Sequence, residues 1–140
     1  MNVRIVTDSA CDLTEAEIEA HSITVVPLSI RFGEDVQLDR DEISVDDFYQ
    51  RMASSEELPE TAAPSPGAFA QVFQQRLTEG ADAVVCINLS SGVSATMESS
   101  QLGAREVDGD IHIVDSRSVT AGLGNMVIAA AKAAKAGVSA

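Results

Sequence analysis

The sequence DAVVCINLSSGVSAT at residues 82–96 contains the clearest structural pattern of the chain. Asp82–Leu89 is a nearly continuous apolar run of strand length, Ser90–Ala95 is a serine-rich turn, and a helix is predicted from there to about Val107. An apolar run without polar alternation is typical of a parallel strand that is covered on both faces. Asn2–Thr7, which is rich in β-branched residues, is predicted as a second buried strand.

Strand and helix patterns alternate through the rest of the chain. The other predicted helices cover residues 15–21, 45–52, 66–78 and 120–136. The Thr14–Glu17 capping box, Ser44 and the Ser65-Pro66 pair mark the first three helix starts. The other predicted strands cover residues 23–32, 36–38 and 111–114, and residues 54–66 are predicted as one long loop. Pro27 interrupts the strand at residues 23–32, which indicates an edge position or a bulge. The alternation predicts an α/β fold, a mostly parallel sheet with helices on both faces, in three layers as in Rossmann-like domains.

Composition and charge limit the classes of function. The 140 residues suit a single domain, residues 1–140, and a hydrophobic content of 45% is that of an ordinary globular protein. The 22 acidic and nine basic side chains give a net charge of −13, so we expect neither nucleic acid nor an anionic membrane as partner. The apolar run at residues 126–134 is too short to span a bilayer, and Met1–Asp8 lacks the basic start of a signal peptide. We therefore expect a cytoplasmic protein without membrane insertion.

The cysteines and histidines are predicted to be structural. Cys11 and Cys86 lack the spacing of a metal or redox motif, and the strand position of Cys86 predicts a buried, reduced thiol. His21 closes a predicted helix, and His112 lies inside a predicted strand, where we expect a helix to cover it. Without a base beside a serine, and without a Gly-x-Ser-x-Gly elbow, the pattern favours binding over catalysis. We predict no catalytic residue, no metal ligand and no cofactor.

Ligands of parallel α/β sheets bind beyond the carboxyl ends of the strands. The loops that follow the predicted strands there lie at residues 8–12, 61–65, 90–96 and 115–118. The loop at residues 90–96 combines hydroxyls with the backbone amides of a helix N-terminus, and such donors suit a phosphate or a carboxylate. An ordinary helix cap with additional serines would have the same residues, so both interpretations stay open. Neither the dinucleotide-binding glycine pattern nor the P-loop pattern is present.

Asp8 and Ser9 follow the first predicted strand. The sequence leaves open whether Asp8 is a solvated or capping residue, or whether it serves a metal-dependent phosphate-ester hydrolase or transferase together with the anion site at residues 90–96. A third interpretation is an interaction domain that binds no ligand.

Several blocks of the sequence resemble the DegV family of bacterial fatty-acid-binding proteins. They run in the family's order along the whole chain: Val3-Arg4-Ile5-Val6-Thr7-Asp8-Ser9, Val26-Pro27-Leu28, Thr61-Ala62-Ala63-Pro64-Ser65, Ser90-Ser91-Gly92-Val93-Ser94-Ala95-Thr96 and Val114-Asp115-Ser116. The third block is similar to the family's Thr-Ser-Gln-Pro-Ser motif, and the fourth to its Ser-Ser-x-Leu-Ser-Gly-Thr motif. Family members have a second α/β domain, so the resemblance implies that residues 1–140 are the N-terminal lobe of a two-domain protein.

The resemblance also implies a function and a site. Proteins of this family hold a long-chain fatty acid, and some present its carboxyl group to a fatty acid kinase for phospholipid synthesis. By correspondence with the motifs, Thr61 and Ser94 are expected to hold the carboxyl group, and the fatty acid is the only expected ligand. The supporting positions are Ser65, Ser91, Ala95 and Thr96 beside the head group, and Asp8 and Ser9 after the first strand. Ala62, Ala63 and Ala95 replace the serine, glutamine and glycine of the family motifs.

Overall fold

In the computed structural model, which describes all of residues 1–140, the chain forms two sheets and five α-helices. The strands are β1 (Val3–Asp8), β2 (Thr24–Val26), β3 (Ser29–Phe32), β4 (Asp35–Leu38), β5 (Glu60–Ala62), β6 (Ala83–Asn88) and β7 (Ile111–Asp115). The helices are α1 (Glu15–His21), α2 (Val45–Ser54), α3 (Pro66–Thr78), α4 (Thr96–Arg105) and α5 (Thr120–Lys135). Ser9–Cys11 forms one turn of 3₁₀ helix directly after β1. None of these helices is long and apolar enough to cross a bilayer.

The main sheet is parallel, as the apolar strands predict. Its strand order is β2-β1-β6-β7, so β1 and β6 are central. On one face, Ile5 of β1 packs in a cluster with Leu123 of α5. On the other face, Val84 of β6 packs in a second cluster with Phe69 and Phe73 of α3. Both faces of the central strands are therefore covered, and the predicted three-layer α/β fold is confirmed.

A small second sheet stands apart from the main one. In it, β3 pairs antiparallel with β4 and β5, in the order β4-β3-β5. The single strand predicted at residues 23–32 is wrong, because it divides into β2 and β3, which belong to different sheets. Pro27 has no amide hydrogen for a ladder, and the next amide, that of Leu28, donates to Ser9 Oγ at 3.0 Å. The edge position that Pro27 indicated is confirmed for β2.

The long loop predicted at residues 54–66 is also wrong in part, because it contains β5. All three residues of β5 are exposed, and they show no apolar alternation. The strand is defined by its pairing with β3, in which Thr61 lies opposite Ile30. A strand that depends on a partner distant in sequence has no local pattern of its own in the sequence.

Side-chain caps confirm three of the predicted helix starts. Thr14 Oγ1 accepts a hydrogen bond from the Glu17 amide at 3.3 Å, and the Thr14 amide donates to the Glu17 carboxylate at 2.9 Å. Ser44 Oγ and Ser65 Oγ accept from the amides three residues later, at 3.1 Å and 3.2 Å. These bonds satisfy amides that have no partner within the helix.

The two cysteines are buried as predicted, whereas His112 is not covered. Cys11 and Cys86 are free thiols, and burial raises the pKa of both. The prediction that a helix covers His112 is wrong, because its side chain is 46% exposed and its Nε2 lies 2.8 Å from Asp110 Oδ1. β7 is an edge strand, and α5 packs over β1 and β6, so the face of β7 that carries His112 stays open.

Candidate functional site

Two loops, termed the hydroxyl loops, carry the candidate site: residues 61–65 before α3 and residues 90–96 before α4. In the second loop, the Val93 amide donates to the Ser90 carbonyl at 3.1 Å, which makes a tight turn. The Ser90 amide donates to the Ser118 carbonyl at 2.9 Å, so this loop is joined to the loop after β7. The loop after β6 and the loop after β7 lie side by side at the carboxyl edge of the main sheet, where parallel α/β proteins bind their ligands.

Ser94 is a half-buried residue that precedes Ala95, the N-cap residue of α4. Its Oγ accepts a hydrogen bond from the Thr96 amide at 3.2 Å and lies 2.8 Å from Thr96 Oγ1. The Thr96 side chain is fully buried. Ala95 has an ordinary backbone conformation (φ −80°, ψ 5°), so alanine fits without strain where the family motif has glycine. The N-terminus of α4 provides a positive dipole end beside the Ser94 hydroxyl.

Ser94 lines a shallow cavity of about 340 Å³ at the start of α4. The other lining residues are Ser91, Ala95, Met97, Glu98 and Gln101. Ser91, Glu98 and Gln101 offer polar groups to a ligand in this cavity, and Ala95 and Met97 add apolar surface. Glu98 repels a bound anion, and the hydroxyl and amide donors must outweigh that repulsion.

The hydroxyl of Ser91 is engaged by Asp115, the last residue of β7. Ser91 Oγ donates to Asp115 Oδ2 at 2.5 Å, and the Ser91 amide donates to Oδ1 at 3.1 Å. The Arg117 amide also donates to Oδ1, at 3.0 Å. Together these hydrogen bonds lower the pKa of the Asp115 carboxyl group, and the bond from the Ser91 side chain has the largest effect. Ser91 therefore supports the loop through Asp115, a contact that the sequence did not reveal.

Thr61 lies in the middle of β5, at an edge of the small sheet. Its side chain is exposed and lies on the same face of the small sheet as Ile30, its partner in the antiparallel pair. Ser65, in the same hydroxyl loop, uses its Oγ to cap α3. Thr61 is thus the exposed hydroxyl of this loop, whereas the hydroxyl of Ser65 is used by the fold.

Helix α4 connects the two hydroxyl loops. Ser99 Oγ donates to the Pro64 carbonyl of the first loop at 2.5 Å. Ser100 Oγ donates to Asn88 Oδ1, at the end of β6, at 2.6 Å. Adjacent serines of one helix therefore hold the first loop and the strand that leads to the second loop. Ser99, Ser100 and Asn88 were not predicted, because polar residues at these positions have no local pattern that identifies their partners.

Asp8 and Ser9 are buried structural residues. Asp8 Oδ2 accepts from the Leu89 amide at 2.8 Å and from Asn88 Nδ2 at 3.2 Å, and its Oδ1 accepts from the Ala10 amide at 3.1 Å. Asp8 thus caps the 3₁₀ turn, as one interpretation held, but it is fully buried and not solvated, and burial raises the pKa of its carboxyl group. No group of three or more His, Cys, Asp and Glu side chains lies close enough together to hold a metal ion.

Gly103 allows α4 to approach α3 closely. A Cβ atom at this position would lie 2.5 Å from the Pro66 carbonyl oxygen and 2.9 Å from Phe69 Cβ. Since Pro66 directly follows the first hydroxyl loop, this close approach packs the C-terminal part of α4 against the start of α3.

The fold and the site together define an α/β domain that carries hydroxyl donors at the carboxyl edge of a parallel sheet. The chain belongs to the DegV family, because the sequence model described as "Uncharacterised protein, DegV family" matches residues 2–140. This finding confirms the family that the motifs indicated.

Relatives and solved structures agree with this assignment. A DegV domain-containing protein of Clostridium perfringens is 39% identical over 138 residues, which are 98% of this chain and 49% of that protein. A fatty-acid-binding DegV family protein of Thermus thermophilus has a TM-score of 0.90 at 32% identity, with 99% of this chain and 49% of that chain covered. A stearic-acid-binding protein of Eubacterium ventriosum has a TM-score of 0.91 at 33% identity, with 98% and 49% covered. The chain thus spans about half the length of the proteins it matches.

Proposed function

We propose that this chain binds the carboxyl group of a long-chain fatty acid through the hydroxyls of Thr61 and Ser94. The observation that carries the proposal is the position of α4 between the two hydroxyl loops. Ser94 lies two residues before the first residue of the helix, and Ser99 bonds to Pro64 of the loop that begins at Thr61. A carboxylate has two oxygen atoms that only accept hydrogen bonds, so two hydroxyl donors from two loops suit it.

The solved relatives support a fatty acid as the ligand. The T. thermophilus protein is described as fatty-acid-binding and the E. ventriosum protein as binding stearic acid. Both resemble this chain over nearly all of its length at more than 30% identity. The motif resemblance assigns the head-group hydroxyls to Thr61 and Ser94 of this chain.

The acyl chain and the carboxyl group of the fatty acid contribute unequally to the binding free energy. Burial of one methylene contributes about 0.8 kcal/mol, so a chain of about 14 methylenes contributes at most about 11 kcal/mol. A hydroxyl hydrogen bond contributes about 1 kcal/mol net. The head-group site therefore sets the orientation of the fatty acid more than its affinity. The net charge of −13 opposes a carboxylate, so the local donors must offset that field.

We propose that the chain is a carrier and not an enzyme. A serine needs an adjacent base to act as a nucleophile. His21 precedes β2 and His112 lies early in β7, so both are near the amino edge of the parallel sheet, opposite the edge that carries Ser94. Asp8, the candidate for a metal-dependent phosphate-ester hydrolase or transferase, has both carboxylate oxygens occupied by bonds within the protein. These positions favour binding over hydrolysis.

The proposed carrier function also involves a second lobe, a cellular location and a partner protein. Because the chain spans about half of its relatives, we propose that residues 1–140 act as the N-terminal lobe of a two-domain protein whose other lobe covers the acyl chain. We further propose a cytoplasmic location and a fatty acid kinase that receives the exposed carboxyl group. The fatty acid is then the only bound small molecule, with no metal or cofactor.

Calorimetric titration with oleate tests the proposal. We expect saturable binding to the two-domain protein that contains residues 1–140, and about fivefold weaker binding after Thr61→Ala or Ser94→Ala, because each removes one hydrogen bond of about 1 kcal/mol. Ser139→Ala, which removes an exposed hydroxyl near the end of the chain, is the matched control and should leave binding unchanged. An absence of oleate binding would favour an interaction domain without ligand. Equal binding by all four proteins would place the head group elsewhere.

A further inference from the structure

Hydrogen bonds from Thr96 determine the direction in which the Ser94 hydroxyl can donate to a ligand. Thr96 Oγ1 is fully buried, and its hydrogen-bond partner is Ser94 Oγ, 2.8 Å away. A buried hydroxyl hydrogen without an acceptor carries the cost of desolvation, which is why such groups are almost always paired. The hydrogen of the Thr96 hydroxyl therefore points at Ser94 Oγ, and Ser94 is the acceptor of this pair.

A second hydrogen bond completes the acceptor capacity of Ser94. The Thr96 amide donates to Ser94 Oγ at 3.2 Å. A serine hydroxyl has two acceptor positions and one hydrogen. Both acceptor positions face Thr96, so the remaining hydrogen of Ser94 is directed away from Thr96. Ser94 lines the cavity at the start of α4, which is where that hydrogen can meet a ligand.

We propose that Thr96 is a specificity-determining residue that makes Ser94 a dedicated donor, so that the site selects ligand ends that only accept hydrogen bonds. An ionised carboxylate meets this requirement, and its negative charge strengthens the bond. A neutral amide of the same chain length accepts a weaker bond at its carbonyl, and its NH₂ group finds no acceptor at Ser94. Thr96 does not touch the ligand and acts through the hydroxyl of Ser94. This inference rests on the proposed function, since it assigns the selectivity of the same site.

The test compares two ligands that differ only at the polar end. Octanoate and octanamide are soluble at the concentrations that NMR titration needs, and the amide signals of residues 94–96 report binding at the site. In the wild-type chain we expect octanoate to bind more tightly than octanamide. Thr96→Val keeps the shape of the buried side chain but removes its hydroxyl, so one acceptor position of Ser94 Oγ becomes free while the Thr96 amide still occupies the other. We expect the octanoate-to-octanamide preference to fall roughly three- to tenfold.

Thr96→Ser is the matched variant, because it keeps the hydroxyl and loses only a methyl group. It should retain the wild-type preference even where it lowers the overall stability. A purely structural role of Thr96 would weaken both ligands equally and leave their ratio unchanged, and that result in Thr96→Val would overturn the inference. If wild-type protein binds octanoate but shows no preference over octanamide, the inference also fails while the proposed function stands. If the residue 94–96 signals do not respond to octanoate at all, both fail.

Discussion

The Ser91 hydroxyl donates to Asp115 Oδ2 at 2.5 Å and thereby joins the loop after β6 to the end of β7. The Ser91 amide bonds to the other oxygen of the same carboxylate, so Asp115 holds both the backbone and the side chain of Ser91. This pair anchors the loop that presents Ser94 only three residues later. The neighbouring strands β6 and β7 thus fix the hydroxyl loop before a ligand arrives.

Asp115→Asn is expected to make the chain less stable at neutral pH. Hydrogen bonds from Ser91 and Arg117 lower the pKa of Asp115 below its ordinary value of 3.8. A carboxyl group with a lower pKa in the folded state stabilises the fold above its ordinary pKa, and this contribution is lost as the pH falls through the folded-state value. The difference in melting temperature between wild type and Asp115→Asn should therefore be constant from pH 7 to pH 5 and shrink below about pH 4.

Glu56→Gln, an exposed acid far along the chain from this pair, is the control for the loss of one negative charge. A difference that persists unchanged into strong acid would show that the Asp115 carboxylate does not provide the stabilisation.

Asp8→Asn is expected to destabilise the fold by about 1–3 kcal/mol, which is the range for a buried polar group left unsatisfied. The Asp8 carboxylate accepts from the Leu89 and Ala10 amides and from Asn88, and an asparagine would turn an NH₂ group toward at least one of these donors. Urea denaturation measures the loss. Phosphate-ester hydrolysis that requires Mg²⁺ and disappears in Asp8→Asn would contradict the structural role and support the hydrolase interpretation.

Gly103→Ala is expected to force α3 and α4 apart. The added Cβ atom would meet the Pro66 carbonyl oxygen at 2.5 Å, which is shorter than any ordinary contact, so we expect a loss of about 1–3 kcal/mol in the free energy of unfolding. Gly67→Ala, in α3, is the matched control. Its Cβ atom would have only Ser65 Oγ nearby, at 3.9 Å, so this change should be neutral or slightly stabilising. Equal denaturation midpoints for the two variants would disprove the close approach.

Ser99→Ala and Ser100→Ala are expected to lower the stability of the fold to a similar extent but to differ in their effect on oleate binding. Each variant removes a buried hydrogen bond from α4, so both should lower the free energy of unfolding by about 1–3 kcal/mol. Only Ser99 bonds to Pro64 in the loop that begins at Thr61. We therefore expect weaker oleate binding in Ser99→Ala than in Ser100→Ala, measured by calorimetry under conditions where both variants remain folded. The reverse order would show that the Pro64 contact does not position Thr61.

Local patterns were sufficient to predict most of the main sheet and its helices. The apolar run around Val84 required a covered strand, and the Thr14–Glu17 capping box and the Ser65-Pro66 pair marked helix starts. β5 could not be predicted, because its exposed residues are held by pairing with β3. The exposure of His112 was equally hidden, since a single strand does not show whether it lies at the centre or the edge of its sheet.

In the candidate site, too, local sequence patterns pointed to some residues, whereas tertiary contacts define others. Thr61 and Ser94 were predicted as head-group residues from their motifs, and Asp8 was chosen as a candidate from its position after a strand. The partners that hold these loops depend on tertiary contacts, as in the bond from Ser99 to Pro64. The burial of Asp8 likewise follows from its place between the ends of β1 and β6, which no sequence spacing specifies.

The central claim is that the Thr61 and Ser94 hydroxyls hold a fatty acid by its carboxyl group. Solvent extraction of the purified two-domain protein that contains residues 1–140, followed by mass spectrometry, tests it most directly when wild type and a Thr61→Ala/Ser94→Ala variant are prepared in parallel, with circular dichroism to establish that both are folded. We predict a long-chain fatty acid in the wild-type extract and a strongly reduced amount in that of the variant. An empty wild-type extract, or an equal amount from the folded variant, would contradict the claim.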